Sequence, residues 1–162
     1  MDQQTKAAAN PTKVERLSDR ELAVTRLFDA PVAMVFKAWS DPALFRRWWV
    51  PAGFGINLVG CEMDVRTGGK YRLEFAAGDQ TMTFHGKYID VVPNQKIVWT
   101  NDEGDDDGQV TTVTFEDRGD QTLVTYRDSF ASKDALEEAM NGAAKGLPQQ
   151  FEQLAELLAD AA

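Results

Sequence analysis

Hydrophobic and polar residues alternate along most of this chain, and the period of the alternation changes in an informative order. Apolar positions recur every second residue from Glu21 to Phe28, interrupted at Arg26, which predicts a strand. Helical spacing then follows twice, after Pro31 and again after Asp41, and predicts two short helices. The first part of the fold is therefore expected to be one strand followed by two helices.

A period of two returns at Asn57 and continues to about residue 127. Turn-forming residues divide this stretch into six predicted strands, near 57–66, 70–77, 80–91, 95–101, 109–117 and 121–127. Because the turns between them are short, consecutive strands are expected to pair in antiparallel fashion.

The C-terminal part has apolar residues in one helical phase from Leu136 to Leu158. Pro148 cannot donate a helical hydrogen bond, so we expect a kink or a break near Gly146 and Pro148 in the first turn of the last helix. Residues 1–18 carry little apolar content and are predicted to be a flexible tail, which leaves residues 19–162 as a single domain.

These elements predict an α+β fold in which a curved seven-stranded antiparallel sheet surrounds a long C-terminal helix. A sheet with one polar face needs a cover for its other face, and that helix is the longest amphipathic segment. A curved sheet around a helix can leave an apolar hollow between them. The residues expected to point inward are Tyr71, Leu73, Phe75, Met82, Phe84, Tyr88, Ile97, Trp99, Val113, Phe115, Val124 and Tyr126.

The amino-acid composition restricts the classes of molecule that this protein is expected to bind. The 162 residues include 17 basic and 26 acidic side chains, and the net charge of −9 disfavours nucleic acid. Only one cysteine, Cys61, is present, which excludes an internal disulfide and favours the cytoplasm. No apolar run approaches the length of a membrane span, and the sequence predicts no cofactor.

Few residues are candidates for catalysis or metal binding. His85 is the only histidine and falls on the outward face of its predicted strand, so triad chemistry is disfavoured and no catalytic residue is assigned. The acidic segment 102–108 departs from a calcium loop at its first and last ligand positions. We expect it to be a charged loop that keeps the sheet edge soluble, and we expect no metal site.

A dense apolar stretch follows the second helix and contains Trp48, Trp49, Phe54 and Ile56. These side chains either plug one end of the sheet or form the entrance of a pocket, since Gly53 gives the loop freedom.

The order of elements resembles the START-like (SRPBCC, helix-grip) superfamily, and within it the branch of the heat-shock protein 90 ATPase activator C-terminal domain. The resemblance covers about residues 20 to 160. The motifs that carry it are Phe28-Asp29-Ala30-Pro31, Val35-Phe36, Trp39, Asp41-Pro42, Leu44, Trp48-Trp49, Pro51, Arg66, Gly68-Gly69, Gly86, Val92-Pro93, Ile97-Val98-Trp99, Val113 to Phe115, Thr122, Gly146 and Leu154. Leu147 stands where members often have a tryptophan after the glycine, which implies a different pocket wall.

This superfamily includes ligand binders, co-chaperone domains and cyclases, so the resemblance specifies the fold more closely than the activity. We expect a binding protein for a small, mostly apolar molecule. One alternative is a protein-interaction module that resembles a heat-shock chaperone partner, and another is a cyclase-type enzyme. An inward carboxylate beside Tyr88 or Tyr126 would favour the enzyme, and the predicted strands contain none. The expected ligand-binding residues are Phe75, Phe84, Tyr88, Trp99, Phe115, Met140, Leu147 and Phe151, with Trp49 and Phe54 near the entrance.

Overall fold

Eight strands form one antiparallel sheet in a computed structural model that describes residues 12–50, 53, 55–101, 109–141 and 146–161. Across the sheet the strands are ordered β1-β2-β8-β7-β6-β5-β4-β3, so the pairing of β2 with β8 brings the two ends of the chain together. The strands are β1 (Lys13–Arg16), β2 (Glu21–Phe28), β3 (Asn57–Met63), β4 (Lys70–Ala77), β5 (Gln80–Val92), β6 (Lys96–Thr100), β7 (Val110–Asp117) and β8 (Thr122–Ser129).

This sheet confirms the predicted α+β helix-grip class and corrects the strand count from seven to eight. The additional strand, β1, lies within the segment predicted to be a tail and pairs with β2. All four of its side chains are exposed, so it has no inward apolar positions from which a period of two could be recognised.

Four helices accompany the sheet in the described part of the chain: α1 (Val32–Ser40), α2 (Pro42–Trp48), α3 (Lys133–Asn141) and α4 (Leu147–Ala161). Asp41 caps α2 by accepting a hydrogen bond from the Ala43 N–H, and Pro42 occupies the first helical position. Pro148 is the second residue of α4, as predicted for a proline in the first turn of the last helix. The kink or break predicted near Gly146 borders residues 142–145, which lie outside the described residues.

The sheet bends sharply along β5, which pairs with β4 through its first half and with β6 through its second half. Gly86 lies at the change of partner, where an added Cβ would come within 2.0 Å of the Thr100 backbone oxygen. Register shifts at Val59 in β3 and at Ile89 in β5 are β-bulges, which increase local bending and twist.

Helix α4 packs against the concave face of the sheet. Phe151 and Leu154 are fully buried beneath it, and Phe151 contacts Phe28 of β2 with ring centroids 5.9 Å apart. The buried Arg26 of β2 donates a hydrogen bond to Glu152 of α4 at 3.0 Å, which explains why an arginine interrupts the apolar side of this strand.

Candidate functional site

A cavity of about 640 Å³ lies between the concave face of the sheet and the helices. Its walls come from β3 to β8, from all four helices and from neighbouring loop residues. Most of the lining side chains are aromatic or aliphatic: Trp39, Phe45, Trp49, Val50, Ile56, Met63, Tyr71, Leu73, Phe75, Met82, Phe84, Tyr88, Ile97, Trp99, Tyr126, Phe130, Ala139 and Leu147. The hollow expected from the sequence is therefore present and open.

Six of the ten residues expected to bind ligand line this cavity, namely Phe75, Phe84, Tyr88, Trp99, Leu147 and Trp49. Phe84 is 37% exposed and Met82 beside it is 40% exposed, so the β4–β5 hairpin forms an open rim rather than a closed wall.

Three of the remaining residues lie outside the described lining. Phe115 is buried with its ring edge-on to Phe36 at 5.4 Å, because β7 carries it under α1. Phe151 is fully buried between the sheet and α4, and Met140 is half-buried against the core. None of these three side chains is among the described residues that line the cavity. Phe54 lies outside the described residues.

A cluster of polar side chains forms one end of the cavity; we call it the polar cluster. It consists of Asn101, Gln109, Thr111, Tyr126 and Asp128. Thr111 and Asp128 are opposite each other in the β7–β8 register, and the Thr111 hydroxyl donates a hydrogen bond to Asp128 Oδ1. The side chains of Tyr126 and Gln109 also hydrogen-bond to the Asp128 carboxylate.

Burial controls the protonation of the polar cluster. It raises the pKa of Asp128 from 3.8 to about 6, and the hydrogen bonds from Thr111, Tyr126 and Gln109 oppose this rise. Burial, followed by the nearby Asp128, raises the pKa of Tyr126 well above its ordinary value. The pKa of Tyr88 is also raised, chiefly by burial. Near pH 7 the cavity therefore contains neutral tyrosines and a largely ionised carboxylate.

Asp128 is the residue that sequence reasoning missed, because the last strand was expected to end near residue 127. In the structure β8 extends to Ser129, and Asp128 is only 5% exposed. Val124, Tyr126 and Asp128 share one face of this strand, so the signal was the continuing period of two. An aspartate followed by a serine is more typical of a turn, which concealed the extension.

The aromatic stretch that begins at the end of α2 contains residues in both of the roles considered for it. Trp48 is fully buried and donates its indole N–H to the Ala38 carbonyl at 2.9 Å, so it belongs to the core. Trp49 lines the cavity and stacks on Phe45 with centroids 4.7 Å apart.

Two glutamines of α4 hold this end of the cavity. Gln153 donates to the carbonyls of Trp48 and Val50 at 2.9 and 2.8 Å, and Gln150 donates to the Trp49 carbonyl. These bonds satisfy carbonyls at the end of α2 that lack helical partners. Helix α4 thereby fixes the backbone on both sides of Trp49.

His85 is not among the residues that line the cavity. His85 is exposed and is paired in register with Arg72. The acidic segment 102–108 lies outside the described residues. No group of three or more metal-ligating side chains occurs among the residues that the structure describes. Within those same residues, no helix combines the length and hydropathy needed to cross a bilayer.

Comparisons with solved structures show the same fold in bacterial proteins. A protein from Rhodobacter sphaeroides is 18% identical with a TM-score of 0.83, over 93% of this chain and 99% of that chain. A protein from Chromobacterium violaceum is 28% identical with a TM-score of 0.72, over 87% and 98%. CalU16 from Micromonospora echinospora is 19% identical with a TM-score of 0.61, over 90% and 85%. No curated protein matches the sequence.

The family model for activator of Hsp90 ATPase homolog 1-like proteins matches residues 29–159, from the turn before α1 to the last turns of α4. This match includes β3 to β8 and every helix that surrounds the cavity. The chain therefore belongs to the family of activator of Hsp90 ATPase homolog 1-like proteins.

Proposed function

We propose that this protein binds a small, mostly apolar molecule in the cavity between the curved sheet and α4. The observation that carries the proposal is the cavity itself, whose volume of about 640 Å³ lies within the usual range for ligand sites. A core built only for stability is packed to high density, and an apolar void of this size forfeits favourable contacts. A ligand would restore those contacts.

The proposed contact residues are those that line the apolar part of the cavity. Phe75 and Phe84 form the open rim, with ring centroids 5.4 Å apart. Tyr88, Trp99 and Leu147 form the interior, and Trp49 lies at the α2 end. Phe54 stays a proposed entrance residue. Phe115, Met140 and Phe151 are proposed to act indirectly, by holding the walls apart.

A cyclase-type enzyme is a second candidate, because Asp128 is an inward carboxylate next to Tyr126. A group with a pKa of about 6 can accept and return a proton near neutral pH, which is what general acid–base chemistry requires. Turnover of a bound ligand would distinguish this activity from binding alone.

The co-chaperone-like module is a third candidate, and family membership supports it. A heat-shock chaperone would then be the partner, and a surface rather than the cavity would act. The open cavity favours ligand binding over this alternative. For either, the single cysteine keeps the cytoplasm as the proposed compartment.

The test is a thermal-shift screen against fatty acids, aromatic polyketides, flavonoids and sterols. A ligand at 100 times its Kd adds about 2.7 kcal/mol to the stability of the folded state. For a chain of this length we expect the Tm to rise by roughly 5–10 °C. Leu147→Trp places a larger side chain in the cavity and should abolish the shift.

Ala159→Trp is the matched control, since Ala159 is exposed on the same helix. Both variants are first compared with wild type by circular dichroism to verify folding. A shift that survives in folded Leu147→Trp would mean that the ligand binds elsewhere. If no compound in the panel raises the Tm, the co-chaperone-like module becomes the favoured function. The next experiment is then a pull-down.

A further inference from the structure

Asp128 brings a carboxylate into a cavity that is otherwise mostly apolar. Its side chain accepts hydrogen bonds from Thr111, Tyr126 and Gln109. An ionised carboxylate offers about four acceptor positions, so these donors leave room for one more. The remaining position is available to a group that enters the cavity.

No lysine, arginine or histidine occurs among the described residues that line the cavity. The titratable groups that line it with Asp128 are the hydroxyls of Tyr71, Tyr88 and Tyr126. Burial raises the pKa of Tyr88 and of Tyr126, so these two hydroxyls are neutral near pH 7. β2 contributes Leu22 opposite Asp128, and α3 and α4 contribute the uncharged Ala139, Leu147 and Gln150. A buried carboxylate without an opposite charge is unfavourable, and a cationic ligand would relieve that cost.

Aromatic rings line the cavity together with Asp128. The register places Asp128, Thr111, Trp99 and Tyr88 in one row across four neighbouring strands. The rings of Trp39, Trp99 and Tyr126 lie with centroids 6.2 to 6.3 Å apart, and all three line the cavity. Aromatic faces beside a carboxylate attract ammonium groups through cation–π contacts as well as charge.

From this arrangement we infer that the ligand is an apolar amine, whose protonated nitrogen donates to Asp128 while its apolar body lies toward Leu73, Phe75 and Met82. The inference rests on the proposed function, because it concerns the same cavity. It adds that the cavity selects ligands by charge: cations over neutral molecules, and neutral molecules over anions.

Affinity for an amine should then depend on pH through Asp128. An alkylamine stays protonated between pH 5 and pH 8, whereas Asp128, with a pKa of about 6, is ionised at pH 8 and mostly protonated at pH 5. The affinity should therefore fall about tenfold from pH 8 to pH 5. A neutral ligand of the same shape should show no such change.

The experiment compares three molecules of matched shape: 1-naphthylmethylamine, 1-naphthalenemethanol and 1-naphthoate. Their Kd values are measured by calorimetry at pH 8 and pH 5 in 150 mM salt, which screens the surface charge. A hydrogen bond to a charged group predicts that the amine binds about 10- to 100-fold more tightly than the alcohol at pH 8. Asp128→Asn should remove this preference and its pH dependence while the alcohol still binds.

Glu138→Gln is the matched control, since it removes one negative charge from an exposed position of α3. It should leave the preference unchanged. Equal binding of amine and alcohol to wild type would overturn the inference and leave the proposed function standing, as would an amine preference that persists in Asp128→Asn. If neither molecule binds, the inference fails, and the thermal-shift panel decides whether the proposed function fails with it. The comparison of ligands on wild type needs no variant, so it stands even if Asp128→Asn does not fold.

Discussion

The carboxyl of Asp128 couples the stability of the fold to pH. Its pKa rises from 3.8 to about 6 on folding, so between these values the folded protein holds a proton that the unfolded chain releases. The contribution of this group to stability is therefore fully present below pH 3.8, declines as pH rises toward 6, and stays at its low level above that. Asparagine at this position does not titrate.

We expect the stability of Asp128→Asn relative to wild type to increase by about 1 kcal/mol between pH 5 and pH 8. The measurement is urea denaturation of both proteins at the two pH values. Glu138→Gln, at an exposed position, is the control for the loss of one negative charge. A pH-independent difference for Asp128→Asn would show that the pKa of Asp128 is not raised.

The inward positions of β4 and β5 could be predicted at the residue scale, because alternation continues without interruption from Tyr71 to Phe75 and again from Met82 to Phe84. The inward position of Asp128 could not be predicted, since its residue type suggests a turn and the strand includes it only because of tertiary context. The burial of Phe115 behind α1 could not be predicted either. Alternation with a period of two indicates the face of the sheet on which a side chain lies. It does not indicate whether a helix covers that face.

At the scale of elements, the bend in β5 creates the concave face on which the cavity depends. Gly86 allows it, because an added Cβ would lie 2.0 Å from the Thr100 oxygen and 2.8 Å from the ring of Tyr71. The Tyr71 hydroxyl donates to that same oxygen at 2.7 Å, which fixes the crossing. The glycine is therefore needed for close approach rather than for an unusual backbone angle.

Gly86→Ala should lower the free energy of unfolding by about 1–3 kcal/mol, the usual cost of overpacking. Lys87→Ala is the control, since Lys87 is the next residue and is exposed. Urea denaturation measures both. Equal stability of Gly86→Ala and wild type would mean that β6 can move away from β5 without cost.

Strand boundaries were predictable where turns are short, as between β4 and β5. The bulges at Val59 and Ile89 were not, because each inserts one residue and the apolar pattern simply resumes in a shifted phase. The exposed β1 was also missed. These three features lie at edges or bends, where few buried side chains constrain the sequence.

At the scale of the whole molecule, the strands of the sheet fall into two groups, those that line the cavity and those that do not. β3 to β8 supply lining residues, whereas no described residue of β1 or β2 does. β2 instead anchors α4 through the hydrogen bond from Arg26 to Glu152, and β1 pairs with β2 at the edge of the sheet. The size of the cavity could not be predicted, since it depends on the distance between helix and sheet rather than on any local pattern.

This division predicts where a ligand slows hydrogen exchange. The β4–β5 hairpin carries the half-exposed rim of Phe75, Met82 and Phe84, and β1 is an edge strand with exposed side chains. Amides in both segments are expected to exchange through local openings. A ligand in the cavity stabilises only the closed form of the hairpin. We therefore expect bound 1-naphthalenemethanol to slow exchange in the hairpin and leave β1 unchanged, as measured by mass spectrometry.

A partner protein on the outer surface would give a different pattern, because it would protect the strands it covers whether or not they line the cavity. Slower exchange in β1 with an unchanged hairpin would contradict the ligand-binding proposal. β1 is one edge strand of the sheet, and the β4–β5 hairpin lies near the other edge. Each segment therefore serves as the control for the other within one experiment. The same data distinguish a molecule held inside the fold from a chaperone bound to its surface.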